Sequence, residues 1–464
     1  MTVLLPLVAR HAEDAAFYWA HGREATFSSQ HTPQSRRRFR HLLDANLEGL
    51  RVAQRESASQ DGISGAGWQA VWARVQQWQT ADEAFVAGVL ALEAATAKSP
   101  RLTMLEALEQ LACEQFGQDA ERDIAQGLGH AATELDAAGL KWLVPRWLAS
   151  EQPIFRRAAL AAGVSGGLLS DEDLQSYLVD AHPLVRARAL RAVGELGRNT
   201  LVDMLPGAID LARETDAVCR YWAAISLCLL GRNEGIATLG RWTSENPTGA
   251  LTQHALAVLA QRLPREILRK SLSAALHLPS HQRSALNAIR YSGDLGWLPV
   301  LLDLVEQHSQ DDALRAALLE PSTNLARLAG DVLAHLTGRP LAGSDQSEAL
   351  WQHAPAVEDL FEADEHGDFP DPASDPDVPI QRKHDPDIDL LWPDPAKLRR
   401  ALASLGVADP TTDGQSLYLY GQALTPAYAR QLIHDPESPQ SLRYHAALYL
   451  RCNGHSETLI DIGR

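Results

Sequence analysis

Apolar residues recur at intervals of three and four along much of the chain. Leu184, Val185, Ala189, Leu190, Val193 and Leu196 form one such stripe, and Val218, Tyr221, Trp222, Ile225 and Leu229 form another. That spacing matches the period of an α-helix with one buried face, not the two-residue alternation of a half-buried strand. The punctuation agrees with it. Pro153, Pro183 and Pro279 stand where a first helical turn begins, since proline has φ already set and lacks an N–H that would go unpaired there anyway. A glycine closes each stretch, as suits a left-handed helix end.

A fixed grid ties these signals together. It reads Arg, a small residue three positions on, and Gly eleven positions after the Arg: Arg156, Ala159, Gly167; Arg186, Ala189, Gly197; Arg220, Ala223, Gly231; Arg327, Gly330, Gly338; Arg443, Ala446, Gly454. Gln282 replaces the Arg once, before Ala285 and Gly293. Successive starts lie 30, 34, 62, 45 and 116 residues apart, so the 62-residue gap should hold one degenerate unit, with Gln253–Leu263 as the candidate. A second apolar segment follows the glycine, as in Leu201–Leu211 and Leu298–Val305. Each unit therefore predicts two antiparallel helices that must bury their remaining apolar face against the next pair. The expected fold class is all-α, an α-solenoid of helical hairpins, with no need for strands.

The segments Asp180-Ala-His-Pro-Leu-Val-Arg-Ala-Arg-Ala-Leu-Arg-Ala-Val-Gly-Glu-Leu-Gly197 and Asp216-Ala-Val-Cys-Arg-Tyr-Trp-Ala-Ala-Ile-Ser-Leu-Cys-Leu-Leu-Gly231 resemble short HEAT repeats of the phycobilisome-lyase type. The resemblance implies that the recurrent Arg and the preceding acids Asp180, Asp216, Glu320 and Glu437 are structural, serving as ion pairs or helix caps between units. Together with Ala12–Trp19 and His41–Ala53, the repeats also resemble an uncharacterised bacterial family of HEAT-like proteins. Genes of that family lie beside those for type VI secretion spikes and PAAR-like tips.

Charge then divides the chain. Of 464 residues, 59 are acidic and 42 basic, a net charge of −17 that disfavours nucleic acid and anionic membrane as partners. Pro355–Pro395 alone holds 13 acidic residues, Arg382 and Lys383 as its two basic residues, and eight prolines, for a net of −11. Proline and self-repulsion disfavour a packed core there. The expected organisation is an N-terminal helical domain over 1–95, the repeat array over 96–345, an acidic Pro-rich linker over 346–395 and a C-terminal helical segment over 396–464. No apolar run is long enough to span a membrane, and the stretch Val3–Ala9 is too short and too poorly flanked for a signal peptide, so a cytoplasmic location is expected. Cys113, Cys219, Cys228 and Cys452 lack CxxC spacing and read as small buried hydrophobes rather than as a zinc or disulfide framework.

Chemistry-bearing motifs are sparse. Gly163-Val-Ser-Gly-Gly167 matches G-x-S-x-G, but no strand precedes it and Gly167 belongs to the grid, so Ser165 reads as a turn residue rather than a nucleophile. Asp385, Asp387 and Asp389 start like a calcium loop, yet Leu390 and Ala396 stand where Gly and the bidentate Glu are required. Trp68, Trp72 and Trp78, with Trp142 and Trp147, read as core, and His182 and His254 as capping or packing groups. Possible partner-binding residues are Arg36, Arg37 and Arg38 around Phe39, and Phe361, Phe369 and Trp392 in the acidic segment.

No cofactor or metal site is expected. The expected function is that of a non-enzymatic scaffold that binds a protein partner. The family resemblance implies a type VI adaptor or effector-loading chaperone for an effector or a PAAR-like spike protein. The alternatives are an immunity protein occluding a toxin, or a HEAT-type lyase or isomerase acting on a prosthetic group.

Overall fold

A computed structural model describes residues 3–25, 33–57, 65–98, 100–114, 121–205, 214–246, 250–308, 325–338, 351–352, 390, 392–404, 416–455 and 459. The chain is all-α. In order, the helices are α1 (Leu5–Glu24), α2 (Pro33–Ser57), α3 (Ala66–Trp78), α4 (Ala81–Thr96), α5 (Thr103–Glu114), α6 (Glu121–Ala132), α7 (Ala137–Leu148), α8 (Pro153–Gly166), α9 (Asp171–Leu178), α10 (Pro183–Leu196), α11 (Ala217–Leu229), α12 (Ile236–Glu245) and α13 (Ala250–Arg262). There follow α14 (Arg265–Leu276), α15 (Pro279–Ser292), α16 (Leu298–His308), α17 (Leu325–Thr337), α18 (Pro395–Ser404), α19 (Pro426–His434) and α20 (Gln440–Cys452).

The grid marks helix ends. Proline opens α8, α10 and α15 in the first turn. Gly167, Gly197, Gly231, Gly293, Gly338 and Gly454 all carry positive φ, between 64° and 82°. After four of them the next amide reaches back to a carbonyl five residues earlier: Leu168 to Gly163, Arg198 to Val193, Arg232 to Leu227 and His455 to Leu450. This is the Schellman arrangement, which satisfies carbonyls that the helix itself leaves unpaired. The degenerate unit expected at 253–263 lies within α13.

Two compact units divide the chain: Met1–Arg241 with Leu432–Arg464, and Trp242–Gln431. The expected boundary at 95/96 falls in the last turn of α4, inside the first unit, and the expected 396–464 segment is shared between the two. Within the first unit α4 packs on α6, α6 on α8, α8 on α10 and α10 on α11, while α20 lies against α11. Close approach needs small residues at the crossings. The Oγ of Ser226 donates to the Leu190 carbonyl at 2.6 Å, and a Cβ on Gly194 would stand 2.5 Å from that same oxygen. Within the second unit α13 and α17 pack on α15, and α16 packs on α17.

Three expectations differ from what is seen. The second helical segment predicted over Leu201–Leu211 begins as a short 3-10 stretch, Asn199–Met204, and residues 206–213 lie outside those described. Strands do occur, as two short antiparallel pairs. β1 (Trp351–Gln352) pairs with β2 (Trp392–Pro393), and β3 (Tyr418–Leu419) pairs with β4 (Gln422–Ala423). The first pair joins residues on either side of the acidic stretch, and both of its strands lie inside the second unit, where a linker between domains was expected.

A candidate cationic and aromatic recess

The grid arginines come first, because they are the most conspicuous charges. Nη1 of Arg156 donates to the carbonyls of Ser150 and Glu151, while Nε and Nη2 clasp the Asp180 carboxylate at 2.8 and 2.9 Å. Arg186 repeats the pattern on the carbonyls of Asp180 and Ala181 and on Glu214. Arg220 bonds the carbonyls of Glu214 and Thr215, and Gln282 donates to that of Leu276. The grid residue thus satisfies the turn that enters its own helix, and in two units it also holds the acid of the next turn. Asp216 is an N-cap to Cys219 rather than an ion-pair partner. Glu437 donates its amide to Asp435, and Glu320 lies outside the described residues. Arg443 departs from the pattern, donating to the carbonyl of Ile433, and Arg327 donates to that of Leu390, while the turn that enters its own helix lies outside the described residues.

A different set of charges faces elsewhere. On α10, Arg188, Arg191 and Glu195 share one face at helical spacing, and Arg188 lies about 200° around the helix from the grid Arg186. Nη1 of Arg188 and Nε of Arg191 donate to the two oxygens of Glu195 at 2.9 and 2.7 Å. Burial opposes the Glu195 charge, yet the two guanidinium groups outweigh it and hold the carboxyl below the usual range. Arg188 and Glu195 keep 13% and 14% of their side-chain surface, whereas Arg191 keeps 47% and lies over the ring of Trp222 on α11, 4.6 Å from its centroid. Tyr221 meets Trp222 edge-on at 5.0 Å.

A second cation lies on an aromatic ring of α1. The guanidinium of Arg23 lies 4.7 Å from the Trp19 centroid, and Trp19 stacks on Phe85 at 4.8 Å. His130 of α6 stands edge-on to Trp19 at 5.5 Å. The residue is exposed, yet surrounding protein first, and then Arg23, Arg191 and Arg188, pull its pKa down to about 4. Tyr444 of α20 is within electrostatic reach of Arg191.

The low pKa carries a prediction. The unfolded chain takes up the His130 proton near the ordinary 6.5, whereas the folded chain does so only near 4. Between those values the unfolded state binds more protons, so stability falls as pH drops through 6.5 toward 4. Solvent contact limits the size of the loss. Thermal melts between about pH 7 and pH 5 should show a falling midpoint in the wild type and a flatter line in His130→Gln. Equal slopes in the two would remove His130 as the cause.

The residues singled out from the sequence are scattered. Arg36 is half-buried beside Arg443, and desolvation with that like charge lowers its pKa. Arg37 and Arg38 are exposed on α2, while Arg40 is engaged by Asp44 and Glu134 and Phe39 meets His21 edge-on at 4.6 Å. Trp392 is placed by its backbone opposite Gln352. Phe361 and Phe369, with Asp385, Asp387 and Asp389, lie outside the described residues. Ser165 sits in the last turn of α8, not on a strand-to-helix elbow. Trp68 and Trp147 are core, but Trp78 is 56% exposed. His182 accepts from the Leu184 amide as an N-cap. All four cysteines are free, and three of them are buried.

Among the described residues no group of three or more His, Cys, Asp or Glu is placed to hold a metal ion, and no helix is long and apolar enough to cross a membrane. Comparison with protein-family models, with curated proteins and with solved structures finds no match for this chain.

Proposed function

We propose that this chain is a non-enzymatic scaffold that holds another protein, with the arginine and tryptophan groups of α1, α10 and α11 as its point of recognition. One observation carries the reading: two arginines, Arg23 and Arg191, lie over the rings of Trp19 and Trp222, and both act on the exposed His130. Tryptophan and arginine are the side chains that most often dominate binding energy at protein interfaces. The state of the groups favours recognition over catalysis. Glu195 is engaged by two arginines, and a histidine with a pKa near 4 is a poor general base at neutral pH.

In this reading the chain is a cytoplasmic adaptor or loading chaperone of a type VI secretion system, and its partner is an effector or a PAAR-like spike protein. The support is the family resemblance of the repeats and of Ala12–Trp19 and His41–Ala53. Affinity capture from the native host at low salt, comparing the wild type with Arg191→Glu, tests it. A spike, tip or effector protein should copurify with the wild type and drop about tenfold with the variant, because a reversed charge repels what the arginine attracted. Recovery of no such protein by the wild type would sink the assignment.

A further inference from the structure

Of the repeated arginine clasps in the first unit, one stays half open. We infer that Arg220 on α11 takes an Asp or Glu carboxylate from a turn of a partner protein, as Arg156 takes Asp180 and Arg186 takes Glu214. This goes beyond the scaffold reading by naming a separate contact, and rests on that reading only for the source of the carboxylate.

Two filled copies show what the third is built to hold. In each, Nη1 donates to the two carbonyls of the entering turn, and the edge formed by Nε and Nη2 takes both oxygens of one carboxylate. The distances are 2.8 and 2.9 Å from Arg156 to Asp180, and 3.1 and 2.9 Å from Arg186 to Glu214. The carboxylate is itself braced, because the amide two residues on donates to it: His182 to Asp180 at 2.8 Å, and Asp216 to Glu214 at 3.0 Å. Arg220 makes the first half of the clasp, with Nη1 at 2.8 Å from the carbonyls of both Glu214 and Thr215. Its Nε and Nη2 have no partner among the described residues. The residue is half-buried, and neither atom is sealed from solvent.

The missing acid has a reason in the sequence. Asp180 and Glu214 each stand six residues before the next grid arginine. In the unit after Arg220, Thr252 takes the grid role: its Oγ1 donates to the carbonyl of Asn246, six residues back, and Ala255, three residues on, is buried. The position that would hold the acid therefore carries Asn246, whose side-chain amide donates to the Trp242 carbonyl at 3.2 Å. Nearby acids are already engaged, since Asp216 caps the Cys219 amide and Glu214 is held by Arg186. A guanidinium fixed on two carbonyls loses little freedom on binding, and its open edge matches a carboxylate through two parallel hydrogen bonds. Both filled copies hold a carboxylate braced by its own turn, so a protein turn suits the open copy better than a free anion.

Arg220→Gln separates the two halves of the clasp. Gln282 shows that a glutamine still reaches the turn carbonyl, at 3.0 Å from Leu276, while the carboxylate edge is lost. The full-length Arg220→Gln protein should melt within about 1 °C of the wild type, whereas Arg186→Gln, which strands Glu214, should melt several degrees lower. An equal fall in the two would mean that Arg220 is already paired within the chain, and would overturn the inference. Binding is read by NMR on the full-length chain with isotope-labelled arginine, the Arg220 Nε signal being the one that Arg220→Gln removes. The probes are a peptide of the chain's own turn, Tyr177–Val185, the same peptide with Asp180→Asn, and inorganic phosphate. The Asp peptide should shift the Arg220 signal with a Kd of about 1 mM, and the Asn peptide should bind at least about tenfold more weakly. Equal shifts from the two peptides, or none from the Asp peptide at about 10 mM, would refute the assignment. A shift from phosphate alone would do so too, by making Arg220 a free-anion site. In the capture from the native host, a partner lost with Arg191→Glu but fully retained by Arg220→Gln would keep the scaffold reading and remove this contact. Peptide binding at Arg220 with no captured partner would remove the adaptor assignment and leave the carboxylate site standing.

Discussion

Arg186→Met should destabilise the first unit by about 3–5 kcal/mol, the loss expected when one member of a buried ion pair is removed. Arg186 and Glu214 keep 18% and 8% of their side-chain surface, so solvent does little to replace the lost partner. The guanidinium also holds the carbonyls of Asp180 and Ala181 at the turn into α10, at 2.9 and 3.0 Å. A methionine fills similar volume but donates nothing, so one carboxylate and two carbonyls are left with weakened pairing. The double variant Arg186→Met with Glu214→Leu should recover part of the loss, because the stranded charge is gone. Chemical denaturation of the three proteins checks this, and a single variant within about 1 kcal/mol of the wild type would show that the grid arginine contributes little.

Gly338→Ala should cost about 3 kcal/mol or more, far above the roughly 1 kcal/mol expected for Gly231→Ala. Both glycines are left-handed, with φ of 68° and 80°, and an alanine pays about 1–2 kcal/mol for that conformation at either site. The surroundings differ. A Cβ on Gly231 meets nothing within 4 Å, whereas on Gly338 it would stand 2.4 Å from the backbone oxygen of Tyr420. That backbone is not free to retreat, since the amides of Tyr420 and Gly421 donate to the carbonyls of His335 and Leu336 at the end of α17. Thermal melts of the two variants side by side give the comparison, and equal shifts would mean that the β3–β4 turn yields without cost.

The fold was legible because its signals are local. Proline at a first turn, glycine at a left-handed end and an apolar residue every third or fourth position each act within one helix, so Gly167, Gly197 and Gly293 mark helix ends in the structure where they do in the text of the chain. The role of the grid arginine was half legible. Its distance to the turn carbonyls is set within one hairpin, but the choice of Glu214 over Asp216 as the acid that Arg186 holds depends on how the next turn folds back. The β1–β2 pair was not legible, since two residues on either side of a long acidic stretch carry no pattern of their own.

The arginine and tryptophan groups were missed for a similar reason. Arg188, Arg191 and Glu195 do share a helix face, and that spacing was a usable signal. Trp19, Arg23, His130 and Trp222 come from three other helices, up to some 200 residues apart in sequence, and nothing in their spacing brings them together. By itself the amino-acid order determined where α8, α10 and α15 begin and end, because those outcomes depend on backbone sterics and side-chain period within a few residues. Only the tertiary structure decided which charges neutralise one another, as Arg186 does Glu214 and Arg188 with Arg191 does Glu195, because Coulomb forces and desolvation act through space, between groups that folding sets side by side.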